Sequence, residues 1–375
     1  MNKRFLMLGF AIWACSLSAM AQQPAGNKSL PSIDQQATEK SDGSASDLVA
    51  QGKTLYRTAK FKLALAKFEA ALGQEPDNDE ALGLAAETAF RLDSQGAARD
   101  YFLKRAGLSG QKDSVKAYSY YRAAMTCWRE AHDLVAKYVD LKNGKPVPTL
   151  PESTQGDVSD VIAKGLEYAS RALSLRSEFA DAYNIRNLLN SEAALASNSD
   201  SDAKNHWQKA LDDVRMALSM AKPMADSKAA EAADFNYPTI RISEFSKTTE
   251  EQSQQSDEML KILEGGKPLK RVAANFSTVR TAAAKSSDPA DSAFSGKVKV
   301  EVLISTEGKV VFTHIVDGRS DLNSAAILAA RGWTFEPAML DGQPVQISSV
   351  ISFETKLASR TQTPPTAPSA TSKKP

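Results

Sequence analysis

The sequence predicts a mainly α chain, a helical solenoid followed by a small α+β domain made of a three-stranded antiparallel sheet with helical cover. Three observations predict it. From Leu48 to about residue 228, small and apolar residues recur at spacings of three and four, the mark of amphipathic helices. Beyond Gly296 the apolar period falls to two, the mark of half-buried strands. Glycine-containing turns then cut that second region into short runs.

The N-terminus comes first. Lys3 and Arg4 precede the apolar run Phe5 to Ala14, and Ala19-Met20-Ala21 before Gln22 fits the small-x-small rule of a secretory signal. Residues 1–21 are therefore expected to be removed and the mature chain to be periplasmic. Two competing readings stand beside this one, a lipid on Cys15 and an uncleaved inner-membrane anchor. Trp13 sits where a lipid-attachment motif wants a small residue, and the apolar stretch is at the short limit for a span. Residues 22–45 are rich in Gln, Ser, Gly, Asp and Lys, a linker composition.

Residues 46–228 are expected to form the helical repeats. Gly52, Leu55, Ala59, Phe61, Ala64, Phe68, Ala71 and Pro76 fall at the spacings of one tetratricopeptide repeat. Small residues at Gly52, Ala64 and Ala71 let two antiparallel helices approach, bulky ones such as Phe68 fill between them, and Pro76 stops the second helix. Leu82, Ala86, Ala89, Ala98 and Phe102 repeat the pattern at a roughly 34-residue period. Ser114 to Asp140 reads as a helix rich in Tyr118, Tyr120, Tyr121, Trp128 and Tyr138, with core as the leading reading of those rings and a ligand groove as the other. Asn143 to Gly156 reads as a loop. Gly165, Tyr168, Ala172 and Leu173, then Ala182 to Leu189, then Ala203, Trp207, Ala210 and Leu211 resume the helical pairs, with Ser197 to Asp202 as an enlarged loop. Residues 229–290 read as mixed helix and linker.

Residues 291–358 carry the strands. Val298, Val300, Val302 and Ile304 alternate with Lys297, Lys299, Glu301 and Leu303, Glu307-Gly308 turns the chain, and Val310, Phe312, His314 and Val316 share a face of the next strand. Ser320 or Asp321 is placed to cap a helix carrying Leu322, Ala326, Ala329 and Trp333. After the Asp341-Gly342 turn, Ile347, Ile351 and Phe353 alternate against Gln346, Ser348 and Ser352. Residues 359–375, with their prolines, read as a tail.

Composition excludes more than it assigns. Lys+Arg number 46 against 45 Asp+Glu, so no electrostatic case for nucleic acid exists. Removal of the signal leaves Cys127 alone, so no internal disulfide is expected, and its apolar helical setting reads as a buried, inert thiol. His132, His206 and His314 lie on separate elements without ligand-spaced neighbours, so no metal is expected. Gly265-Gly266-Lys267 lacks the strand a phosphate loop needs. Glu250-Glu251 and Asp212-Asp213 read as solvated helix faces. With no catalytic set, cofactor or small-molecule substrate in view, the expected role is recognition and not catalysis.

The motifs Gly296-Lys297-Val298-Lys299-Val300, Gly308-Lys309-Val310, the alanine-rich helix, Trp333-Thr334-Phe335-Glu336-Pro337-Ala338 and Gly342-Gln343-Pro344-Val345 resemble the C-terminal domain of TonB-family proteins, over about sixty residues of the 375. Two departures stand out: the Tyr-Pro that opens the family's domain is missing, and Thr334 replaces the usual arginine. The resemblance implies a periplasmic protein that binds a partner peptide by strand addition, an outer-membrane transporter in the family's best-known case, with energy coupling to transport. By that analogy the last strand is the receiving edge, through Val345, Ile347, Ser349, Ile351 and Phe353, and Ser348, Ser349 and Ser352 keep it from pairing with itself. A soluble periplasmic scaffold without energy coupling is the alternative, because helical repeats stand where full transducers carry a long Pro-rich spacer.

Overall fold

The structure, a computed structural model, describes residues 43–142, 145–220, 238–242, 245, 262–276 and 295–356. The expected signal with Cys15, Ala19, Ala21 and Gln22, the Glu250-Glu251 pair and the tail lie outside the described residues.

Eight helices come first: α1 (Ala45–Arg57), α2 (Phe61–Gln74), α3 (Asp79–Arg91), α4 (Gln95–Ala106), α5 (Asp113–Tyr138), α6 (Glu152–Leu175), α7 (Ala180–Ala196) and α8 (Asp200–Met220). Each packs on the next, giving four stacked helical hairpins. Local chemistry sets their ends. Ser44 and Asp47 form a reciprocal capping box at α1, Asn78 caps α3, and Pro76 follows the last turn of α2. The small-against-large logic holds: Ala64, Phe68 and Ala71 are buried, and a Cβ on Gly52 would lie 2.4 Å from Phe68 Cε1. Gly165 plays the same part in α6, where a Cβ would meet Leu189 Cδ2 at 2.8 Å and Cys127 Cβ at 2.9 Å. Two expectations are corrected. Residues 143–156 are not all loop: β1 (Val139–Lys142) pairs antiparallel with β2 (Lys145–Pro148), and α6 already holds Gly156. The connection before α8 is also shorter than expected, since that helix begins at Asp200.

The C-terminal half contains β3 (Thr239–Arg241), β4 (Pro268–Lys270), β5 (Ser295–Ile304), β6 (Val310–Asp317), α9 (Ser320–Arg331), β7 (Thr334–Phe335), β8 (Ala338–Leu340) and β9 (Gln343–Lys356). The expected antiparallel trio β6-β5-β9 forms within a larger sheet of order β3-β9-β5-β6, with β6 at one end of that order. β8 adds antiparallel to the start of β9, and β3 adds parallel to β9 with Ile240 opposite Ile347. Helix α9 covers one face, burying Leu322, Ala326, Ala329 and Ala330 with Val298, Val300, Val302 and Ile304. Trp333 packs beside Phe335 and Phe353, and its indole N–H donates to the Val272 carbonyl at 2.9 Å.

The expected turns form for the expected reasons. Asp341 (φ +51°) and Gly342 (φ +73°) make a two-residue turn with both angles positive, the geometry that suits a tight hairpin. Gly308 (φ +77°) closes the β5–β6 turn, where a Cβ would lie 2.0 Å from the Phe335 carbonyl oxygen. Gly296 opens β5 opposite Thr355, and Pro337 leads into β8. Two details differ. Arg319 occupies the N-cap of α9, with no side-chain cap from Ser320 or Asp321; the Asp321 carboxylate instead accepts two hydrogen bonds from the Arg319 guanidinium. A bulge at Val311 puts Val310 opposite Ile304 on the α9 face, away from Phe312 and His314.

The two halves share one core. Leu211, Val214 and Leu218 of α8 cluster with Ile240, Ile242, Phe245 and the α9 side of the sheet.

Candidate protein-interaction site

The strand expected to be an open edge is interior. Within β9, Val345, Ile347, Ser349, Ile351 and Phe353 are all buried; Val345 pairs with Ala338 of β8, and the other four lie opposite Ile304, Val302, Val300 and Val298 of β5. The other edge of β9 is occupied by this chain's own residues 238–242 and 245. The Gln346 N–H donates to the Pro238 carbonyl at 3.0 Å, the Ile242 N–H to the Ser348 carbonyl at 2.8 Å, and the Phe245 N–H to the Val350 carbonyl at 2.8 Å. The serines are corrected with it. Ser348 and Ser352, opposite Leu303 and Lys299 of β5, are buried on the face toward the solenoid, where small residues let helices approach; Ser349 lies on the core face opposite Val302.

A parallel strand presents alternate residues to its two sides. Residues 238, 240 and 242 face β9, so Thr239 turns its peptide groups away from it. Two asparagines of α7 take them. Asn184 Oδ1 accepts from the Thr239 N–H at 2.9 Å, and Asn187 Nδ2 donates to the Thr239 carbonyl at 2.7 Å. The side-chain amides thus stand in for the next strand's peptide groups and end the sheet there. Thr239, Ile240, Arg241, Ile242 and Phe245 are each at most 1% exposed, so the segment is gripped on both edges and both faces.

Arg241 runs into a buried charge cluster. Its Nε lies 3.3 Å from Glu192 Oε1 of α7, and its guanidinium also donates to the Ile242 carbonyl. Glu192 Oε1 lies 2.6 Å from Nδ1 of His132 in α5, and His132 Nε2 faces Glu301 Oε1 of β5 at 3.1 Å. Arg129 reaches Glu301 Oε2 at 3.4 Å and its helical neighbour Asp133 at 3.6 Å. His132, Glu192 and Glu301 have no solvent exposure. Burial alone pulls an imidazole down, yet the carboxylates of Glu301 and Glu192 outweigh it and raise His132 from 6.5 to about 9. Burial likewise pushes Glu301 up, but His132, Arg129 and Arg241 hold it at about 2. Glu192 is lowered against its own burial by His132 and Arg241. At neutral pH the cluster is an imidazolium and two guanidiniums set among carboxylates, a fastener between repeats and sheet. Beside it Lys299 donates to the Lys137 carbonyl at 2.9 Å at the end of α5, where the helix dipole favours a cation.

The first helices of successive hairpins, α1, α3, α5 and α7, lie in one row, and the C-terminal domain covers its α7 end. Further along, Glu87 of α3 accepts from the Tyr118 hydroxyl at 3.0 Å and from Arg122 at 2.6 Å, and Arg91 bonds the Tyr56 hydroxyl of α1. Tyr121 and Trp128 are core, while Tyr118 stays 40% exposed. Cys127 is buried, and burial pushes its thiol up. Sequence reasoning missed the cluster because His132 meets its carboxylates only through the fold. It also misread Asp213, which is buried and held by Arg186 at 2.9 and 2.6 Å.

Residues 290–355 match the family described as Gram-negative bacterial TonB protein C-terminal, so the C-terminal sheet with α9 is a TonB C-terminal domain. No curated protein sequence matches the chain. Solved structures similar to it include MamA, at 16% identity and TM-score 0.31, covering 49% of this chain and 86% of MamA. TTC0263, a thermophilic TPR protein of Thermus thermophilus, covers 50% of this chain and 96% of its own at 16% identity and TM-score 0.28. YrrB, a TPR protein with an unusual peptide-binding site, covers 52% and 95% at 16% identity and TM-score 0.28. Among the described residues no helix is long and apolar enough to cross a membrane.

Proposed function

We propose that this chain is a TonB-family adaptor of a Gram-negative-type cell envelope, working in the periplasm, that holds extended segments of protein partners. One observation carries the reading. The solenoid already binds an extended segment through its main chain, with Asn184 and Asn187 on one side of Thr239 and β9 on the other. Main-chain bonds supply affinity in such recognition, and side-chain pockets supply selectivity. A strand from an outer-membrane transporter or another envelope protein would use the same physics. The buried fastener bears on energy coupling. A domain that transmits force at the end of a spacer has to move freely, whereas this one is seated on α5, α7 and α8 through charge and apolar contacts. That favours the adaptor over the coupling protein.

Two measurements test the proposal. Intact mass of the mature protein, with fractionation, is expected to give residues 22–375 in the periplasm; a full-length chain in the membrane fraction would favour an anchored coupling protein. A photocrosslinking residue at position 118 is expected to capture an envelope protein in cells. Capture that disappears when the proton gradient is dissipated would contradict the adaptor.

A further inference from the structure

His132 presents both ring nitrogens to carboxylates, one from each half of the molecule. Nδ1 makes a 2.6 Å hydrogen bond with Glu192 of α7, and Nε2 faces Glu301 of β5 at 3.1 Å, the longer and less well aligned contact of the two. A neutral imidazole carries one N–H and one lone pair, so it can donate to only one of them. Only the doubly protonated ring satisfies both. Charged and titratable groups surround it from every element packed there: Arg129 and Asp133 of its own helix, Glu192 of α7, Arg241 of β3, Glu301 and Lys299 of β5, and His314 of β6. We propose that His132 is a one-sided proton latch: on losing a proton it keeps Nδ1–H on Glu192 and lets go of Glu301, which loosens the α5–β5 seam while the α7–β3 seam stays shut. The latch works within one chain, whichever partner the adaptor holds.

The surroundings set the direction. The tautomer of a neutral ring follows its better hydrogen bond, here the short one from Nδ1 to Glu192. Nε2 then turns a lone pair toward the Glu301 carboxylate, two acceptors with no hydrogen between them, and a buried pair of that kind moves apart or draws in water. Glu301 has an outlet that Glu192 lacks. Its Oε2 meets Arg129 at 3.4 Å, Arg129 leads on to Asp133 at 3.6 Å, and Asp133 keeps 41% of its side chain in solvent. Beside it β6 is part exposed from Val310 to Val316. Glu192 instead shares its oxygen with Arg241 at 3.3 Å, in the sealed ground of Thr239 to Ile242. Water therefore reaches the cluster from the α5–β6 side. The two carboxylates outweigh burial and keep the ring charged up to about 9, so the latch is closed at neutral pH and opens in alkali.

Nitrogen NMR of the full chain carrying isotope-labelled histidine reads the latch directly. The chain has three histidines, and His206→Gln with His314→Gln leaves His132 alone in the spectrum. At neutral pH both ring nitrogens should carry protons, and above about 9 only Nδ1 should. Glu192→Gln should reverse the choice and leave the proton on Nε2, toward Glu301. Glu301→Gln should lower the ring's proton affinity by about ten-fold or more, the effect of removing one adjacent opposite charge. Hydrogen exchange on either side of that pH, corrected for the intrinsic rate, reads the seams. The amides of Glu301 and Leu303 should lose protection about ten-fold, the scale of one unmet buried hydrogen bond, while those of Ile242 and Phe245 keep theirs. Should either glutamine variant lose its helical circular dichroism, the wild-type tautomer and exchange pattern decide alone. A ring already neutral at neutral pH, a wild-type proton left on Nε2, or protection lost at both seams or at neither would overturn the inference.

Discussion

Glu301→Gln removes one negative charge from the fastener and changes little in shape. Glu301 is fully buried, and its pKa is held at about 2 against an ordinary 4.5 by His132, Arg129 and Arg241. Because the folded value lies below the unfolded one, the carboxylate's contribution is present above 4.5 and lost as pH falls through about 2. At ~1.36 kcal/mol per pKa unit the shift corresponds to about 3 kcal/mol, in line with the roughly 3–5 kcal/mol lost when one partner of a buried ion pair is removed. Urea unfolding followed by circular dichroism at pH 7 should thus show E301Q about 3 kcal/mol less stable than wild type. The gap should narrow as pH drops below 4.5, because the wild-type carboxyl then takes up its own proton. A loss under about 0.5 kcal/mol, the scale of an ordinary surface substitution, or a gap indifferent to pH, would refute the reasoning.

Three further outcomes are expected. His132 has a folded pKa of about 9 above its ordinary 6.5, so its contribution is complete below 6.5 and drains away as pH rises to about 9. The wild type should lose stability across that window, and His132→Gln, followed by urea titrations at each pH, should show no such slope. Gly52→Ala drives a methyl into the buried Phe68 ring and should cost about 1–3 kcal/mol, with Phe68→Leu on top restoring part of it in thermal melts. Gly73→Ala, where nothing lies within 4 Å, should instead gain up to about 1 kcal/mol of helix stability in the same melts.

What the sequence disclosed follows from how local each signal is. Gly52 against Phe68 is written within one helical hairpin, and Asp341-Gly342 within one turn, so both were legible. The Trp333 to Pro337 run and its glycines likewise identified the C-terminal domain. Alternation in β9 announced a strand but could not say how many neighbours it has, because a period of two is the same at an edge and in the middle. The covering strand is three residues long, set among polar sequence, and pairs with residues more than a hundred positions away. No local pattern marks it. His132, Glu192, Arg241 and Glu301 come from four elements and meet only once hairpins and sheet have docked. Each alone reads as an ordinary surface charge.

Hydrogen exchange of the intact chain, read by mass spectrometry over residues 238–242 and 245, bears most directly on the claim that these residues lock repeats and sheet into one body. Amides of Ile242 and Phe245 should be protected to the same degree as those of β5 and β9, and Arg241→Glu should release them while α1 to α4 stay protected. Exchange at the rate of an unstructured peptide in the wild type would contradict it.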